Sequence, residues 1–188
     1  MQMKLQPAGG TAEQAGVAGG SDTLRYRLFA EDKLAEFAAM GVPPEQAALL
    51  VKMQYRGRAM SYAQAYPQAE EMLLCLEDGA DEIAIGCLLL ARATDCWRIV
   101  DLALLAAYRG QRFGRSAVQQ VQRQCAEAGV ALHLHVLHGN PAARLYERMG
   151  FCAVSEDAIG VEMVWDADNA SAAEAVSLVS QGSRQRAG

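Results

Sequence analysis

Apolar positions along the chain fall into short strand-like runs and helical stripes, separated by glycine and proline. From Asp101 to Ala107 the sequence is almost continuously apolar, as in a strand covered on both faces, and Tyr108-Arg-Gly-Gln-Arg-Phe-Gly-Arg115 then interrupts it. In the helical pattern that follows, Val118, Val121 and Cys125 recur at three and four residues beside Ala117 and Ala128, while Gln119, Gln120, Arg123 and Gln124 face water. Upstream, Leu24 to Phe29 alternates as a strand, and Glu31 to Met40 places Leu34, Phe37 and Ala38 on one helical face before Gly41 and Pro43 end it. A long helix is expected from Pro44 to Ala65, with Ala47, Leu50, Val51 and Met53 apolar and Gly57 its weak point. Strands Met72 to Glu77 and Ile83 to Ala91 flank an Asp78-Gly79 hairpin turn, and Trp97 to Ala106 follows. Leu132 to Val136, Phe151 to Ser155 and Val161 to Trp165 complete the strands, with a short helix over Pro141 to Met149. Residues 1–22 and 167–188 lack periodicity and are expected to be a disordered leader and tail around one domain at 23–166.

The 17 basic residues against 22 acidic ones give a net charge of −5 and a pI near 5.2. That balance argues against non-specific nucleic-acid binding. Cys75, Cys87, Cys96, Cys125 and Cys152 are odd in number and form no Cys-x-x-Cys pair, so they read as reduced core residues of a cytoplasmic protein. No apolar leader segment is visible, and Ile83 to Ala91 is about half the length a bilayer span requires, so no membrane association is expected.

A strand that turns into a helix presents unpaired amides and a positive dipole end, which can hold a phosphate. Arg109, Arg112 and Arg115 add charge at that place. An ordinary turn with solvated arginines fits the spacing equally well, and no Gly-Lys-Ser/Thr or three-glycine fingerprint is present. His133 and His135 share one face of a short strand with His138 beyond, but no acidic residue has the spacing to complete a ligand set, so no metal is expected. Tyr55, Tyr62 and Tyr66 share a face of the second helix, as a pocket wall, a core stripe or the surface of a homodimer.

Arg109-Gly-Gln-Arg-Phe-Gly114 resembles the acetyl-CoA loop of the GNAT superfamily of N-acetyltransferases, commonly Arg-Gly-x-Gly-x-Gly/Ala. Asn140-Pro-Ala-Ala-Arg-Leu-Tyr-Glu-Arg-Met-Gly-Phe151 resembles that superfamily's later motif, and the order of elements agrees. The resemblance implies a mixed α/β (α+β) fold, with a mostly antiparallel mixed sheet of about six to seven strands and helices on both faces. It also implies acetyl-CoA as cosubstrate, held by backbone at Leu104 and Leu105 and by Arg109, Gly110, Gln111, Arg112, Gly114 and Arg115, with Asn140 from the later motif. The acceptor would be a small-molecule amine or a protein amino group, bound near Tyr55 and Tyr62. Tyr146 would protonate the leaving thiolate, a backbone N–H near Leu104 would meet the oxyanion, and Asp101 would act as base or else brace the strand by pairing with an arginine such as Arg98. Arg112 stands where the family usually has glycine; a helical φ is expected there, leaving the guanidinium free to pair with phosphate, since φ > 0 would cost about 1 kcal/mol. The competing reading is a non-catalytic acyl-CoA-binding or interaction module.

Overall fold

A computed structural model describes residues 3–8, 20–78 and 81–167. It has a mixed α/β fold with a seven-stranded, mostly antiparallel sheet. The span expected as one domain falls into two compact units, one formed by residues up to Arg92 together with Ile99–Val118, the other by Ala93–Arg98 and the chain from Gln119 onward.

Strands β1 (Met3–Pro7), β2 (Glu70–Asp78), β3 (Asp81–Arg92) and β4 (Cys96–Leu104) lie in that order, with β1/β2 and β2/β3 antiparallel; of β4 the first unit holds Ile99–Leu104. Strand β1 lies inside the expected leader and corrects that expectation. Met3 pairs with Leu76 and Pro7 with Met72, and Lys4 forms an ion pair with Glu77. Helix α1 (Gly20–Ala39) replaces the strand expected at Leu24 to Phe29. Leu24 and Leu28, four residues apart, are both buried against Leu73, Cys75, Ala84 and Cys87, and this helical pair outweighs the local alternation. Helix α2 (Pro44–Ala65) agrees with its expected span, because Pro44 stands in the first turn, where a missing N–H costs nothing. Only Ala47 and Val51 of α2 are buried, so most of its surface is open.

Helix α3 (Phe113–Ala128) buries Ala117, Val118, Val121 and Cys125, as its periodicity predicts. The second unit carries β5 (Ala131–Leu137), α4 (Ala142–Arg148), β6 (Cys152–Glu156) and β7 (Gly160–Trp165), with β7 antiparallel to both β5 and β6. Gln122, expected nowhere in the core, is buried and donates to the Met149 carbonyl at 2.9 Å, satisfying an orphan acceptor at the end of α4. Gly150 follows with φ 86°, a conformation that favours glycine, and the Phe151 N–H returns to the Tyr146 carbonyl at 3.0 Å. All five cysteines are free; Cys152 is exposed and Cys96 half-buried, so only Cys75, Cys87 and Cys125 are the core residues expected. Among the described residues no helix is long and apolar enough to cross a membrane. The expected tail lies outside the described residues, apart from Ala167.

Candidate active site

Strand β4 carries Asp101. Its register places Asp101 in a cavity of about 270 Å³ that Leu28 and Phe29 of α1, Tyr55 and Arg58 of α2, and Leu102 to Leu104 also line. The Asp101 carboxylate accepts a hydrogen bond from Arg58 Nη2 at 2.6 Å. Burial nevertheless dominates and pushes the carboxyl above the ordinary aspartate value, with Arg58 and then Arg25 pulling it partly back. The bracing partner is therefore Arg58; Arg98, the arginine expected there, pairs instead with Glu162.

Arg58, which the sequence pattern does not single out, is the side chain that holds Asp101. Its guanidinium carbon sits 5.4 Å from the Phe29 ring centroid and 5.2 Å from that of Tyr62, while Arg58 Nε donates to the Tyr62 hydroxyl at 3.1 Å. Burial alone would lower the pKa of Arg58, but Asp101 and Tyr62 outweigh it and raise it. The Tyr62 hydroxyl is pushed up by burial and then by Asp101. The spacing Tyr55, Arg58, Tyr62 was a readable signal, since residues three and four apart on a helix are neighbours. The tyrosine stripe itself divides: Tyr55 lines the first cavity, with its ring 5.3 Å from Tyr26, whereas Tyr62 and Tyr66 line a second cavity of about 280 Å³. Arg25 and Ala59 line both.

Cys87 also lines the first cavity, and its thiol is pushed up to about 12, by burial first and then by Asp101 and Glu71. A thiol held protonated in this way is no nucleophile at neutral pH.

The end of β4 is set by a close approach. A Cβ on Gly86 would lie 2.4 Å from the Ala103 carbonyl oxygen, so only glycine lets β3 pass there. The Leu105 N–H then donates to the Ile85 carbonyl at 3.0 Å, and the Leu104 carbonyl accepts from Arg109 Nε at 2.8 Å. Both groups, expected to hold a ligand by backbone pairing, thus have partners within the chain; the Leu104 carbonyl keeps a second lone pair.

A short 3-10 turn (Ala106–Tyr108) leads to the arginine loop, whose start is fixed by the Ala106 N–H donating to Glu31 at 3.0 Å. Arg109, expected as a phosphate ligand, is committed to Asp32 at 2.6 Å. Gln111 Nε2 donates to the Ala107 carbonyl at 2.8 Å, closing the loop on itself. Gly110 adopts φ 74° and Arg112 φ 69°. The helical φ expected at Arg112 is therefore corrected; its Cβ is strained by about 1 kcal/mol or more. The first helical hydrogen bond runs from Ser116 N–H to the Arg112 carbonyl at 2.9 Å, which leaves the amides of Phe113, Gly114 and Arg115 facing out of the helix start. Arg112 and Arg115 are exposed there, and neither forms an ion pair among the described residues. A Cβ added to Gly114 would meet Leu104 Cδ1 at 3.5 Å, an ordinary contact.

In the second unit, Asn140 Oδ1 accepts from the Ala142 N–H at 2.9 Å, turning the chain into α4. Tyr146 is half-buried on α4, its ring edge-on to Phe151 at 5.7 Å. His133 Nδ1 lies 3.2 Å from Glu162, and His135 lies 3.4 Å from Asp157, so both histidines face carboxylates.

One unit thus holds both a cavity with a half-buried carboxylate, Asp101, and a helix start with two exposed arginines, Arg112 and Arg115. The acetyltransferase (GNAT) family model matches residues 28–151, and the chain belongs to that family. Solved structures are similar in fold. They include PaiA N-acetyltransferase from Thermoplasma acidophilum in complex with coenzyme A, at TM-score 0.59 and 14% identity over 88% of this chain and 99% of that one. An acetyltransferase from Thermus thermophilus matches at TM-score 0.56 and 20% identity, over 88% and 97% of the two chains. A GNAT family acetyltransferase from Elizabethkingia anophelis with acetyl-CoA bound matches at TM-score 0.50 and 14% identity, over 87% and 97%. No curated protein matches the sequence.

Proposed function

We propose that this protein is a cytoplasmic N-acetyltransferase that moves the acetyl group of acetyl-CoA directly to a primary amine of a small molecule or a protein. The observation that carries this reading is Asp101, a carboxylate with a raised pKa in the cavity that ends at the Leu104 strand edge. Acetyl-CoA supplies an activated thioester and a diphosphate. The outward amides of residues 113–115 with the exposed Arg112 and Arg115 fit the diphosphate, and Arg109 serves them by fixing the loop to Asp32. Asp101 accepts the acceptor's proton, directly or through water, and its raised pKa makes it a better base than an ordinary aspartate. A backbone N–H near Leu104 meets the developing oxyanion, and the Tyr146 hydroxyl returns a proton to the departing sulfur. The protonated Cys87 supports direct attack rather than a cysteine relay.

A non-catalytic acyl-CoA-binding module is the second reading, favoured by the strained Arg112 and the engaged Arg109. Titration of acetyl-CoA into wild type and Arg112→Glu at low salt, followed by mass spectrometry of an amine and peptide panel, separates the two. The enzyme reading expects binding, weakened in Arg112→Glu, and acetylated product. Binding without product on any acceptor selects the module, and no binding removes both.

A further inference from the structure

The cavity around Asp101 is more cationic than that carboxylate alone requires. Arg25, Lys33, Arg58 and Arg109 line it against two carboxylates, Asp32 and Asp101. Arg58 is matched by Asp101 and Arg109 by Asp32, each at 2.6 Å. The partners of the other two, Glu71 for Arg25 and Glu36 for Lys33, are not among the described residues that line it. Lys33 and Glu36 form a largely solvated pair three residues apart on α1, which holds the lysine weakly. Arg25 differs. Its side chain is only 18% exposed, and among the described residues its guanidinium makes one hydrogen bond, from Nη1 to Glu71 at 3.2 Å, long for a charge-assisted contact. A guanidinium carries more N–H donors than that bond uses, and Arg25 lines both cavities of the unit. A mostly covered arginine with donors to spare, beside open space, is a seat for a planar anion.

We propose that Arg25 is a specificity-determining residue that seats a carboxylate of the acceptor, and that the acceptor is a free amino acid, its amine turned to Asp101 and its carboxylate to Arg25. This rests on the N-acetyltransferase reading and narrows it to a small zwitterion. Arg25 stands near enough to Asp101 to pull that carboxyl down. A simple amine arriving as a cation therefore faces Arg25 and Arg58 with only Asp101 to receive it. A carboxylate on the same molecule cancels that repulsion and gives Arg25 a planar partner. A diamine adds charge to a wall already positive, and a peptide amino terminus lacks the α-carboxylate. In the transfer, the acceptor ammonium gives one proton to Asp101, the N–C bond forms as the C–S bond of acetyl-CoA breaks, and the departing thiolate takes up the second proton. The products are an N-acetyl amino acid and free coenzyme A.

The test uses the full chain and matched pairs that differ only in the carboxylate: L-phenylalanine with phenethylamine, L-leucine with isopentylamine, and L-lysine with cadaverine. Calorimetry reads binding, and mass spectrometry with acetyl-CoA reads product. In the pair that binds tightest, wild type is expected to favour the amino acid by about tenfold or more. Arg25→Lys keeps a charge opposite Glu71 and removes the planar fork. It should lose that preference by about fivefold or more while the affinity for the decarboxylated amine stays within about twofold. A merely structural role for Arg25 would weaken both members alike. Equal affinity within the pairs, tighter binding of the amines, binding of no pair member, or an unchanged preference in Arg25→Lys overturns the proposal. If Arg25→Lys does not melt cooperatively, the amide of the preferred amino acid is titrated into wild type instead, with a tenfold or larger loss expected and no loss overturning the proposal. The two readings fail separately. Amino acids bound through Arg25 but never acetylated sink the acetyltransferase reading alone, whereas amines acetylated as readily as their amino acids sink the role of Arg25 alone.

Discussion

Asp101 and Glu162 are each paired with one arginine, at 2.6 and 2.5 Å, yet their carboxyls move in opposite directions. At Asp101 burial wins, and one bond from Arg58 does not offset it. At Glu162 burial also pushes upward, but both nitrogens of Arg98 and then His133 overcome it and hold the group below the ordinary glutamate value. At Asp101 the bonds from Arg58 and the Leu102 backbone, with Arg25 near, fall short of the cost of burial; at Glu162 a fork plus a histidine exceeds it. In the first unit burial decides the direction of the carboxyl, and in the second its partners do.

The largest expected effect is on turnover. Asp101→Asn should lower kcat/KM by about a hundredfold or more, the scale of a lost general base, and raising the pH should recover part of it as the acceptor deprotonates unaided. A loss that is flat with pH would move Asp101 to the structural side of the comparison. Tyr146→Phe crosses the division, since Tyr146 belongs to the second unit: turnover should fall by about ten- to a thousandfold with acetyl-CoA affinity unchanged, and wild-type turnover would remove Tyr146 from the chemistry.

Melting curves across pH test the opposite signs directly. The raised pKa of Asp101 gives stability that is full below its ordinary value of 3.8 and is lost as pH rises through the folded value. The lowered pKa of Glu162 gives stability that is full above its ordinary value of 4.5 and is lost as pH falls through the folded value. Relative to wild type, Asp101→Asn should therefore gain in Tm as pH rises from about 3 to about 7. Glu162→Gln should lose, by about 3 °C at neutral pH, a figure discounted for solvent screening. Parallel trends for the two variants would break the comparison. The smallest effect belongs to Arg112→Gly, which relieves the positive φ and should raise Tm by about 1 to 2 °C while weakening acetyl-CoA binding several-fold. A change in Tm without a change in affinity would mean that Arg112 contributes strain and no contact.

Much of this was legible in the chain. The periodicity of α3, the proline start of α2 and the Asn140 to Phe151 motif are local signals, and each lies where its pattern placed it. What was not legible depends on partners far away in sequence. Arg58 and Asp101 are 43 residues apart, and the spacing of the tyrosines gave no hint of which carboxylate their neighbour would meet. Leu24, Tyr26 and Leu28 satisfy a strand's alternation, while the Leu24 and Leu28 pair satisfies a helix equally well; the buried cluster with Leu73 and Cys87 decides for α1. The φ of Arg112 follows from the turn between the 3-10 segment and α3, a backbone requirement that an arginine does not advertise.

Strand β1 has a bearing on how the protein must be handled. Strand β2 carries the buried run Met72 to Leu76, and β1 occupies its outer row of hydrogen-bonding groups from Met72 to Leu76. Without β1, that row would be a flat, apolar template for pairing with other chains. With it, the sheet's margin is a five-residue strand bearing Lys4 and ending at Pro7, both features that discourage strand addition. The five residues of β1 are therefore expected to protect that edge, and their removal, or a fused tag that pulls them away, should increase aggregation as read by light scattering.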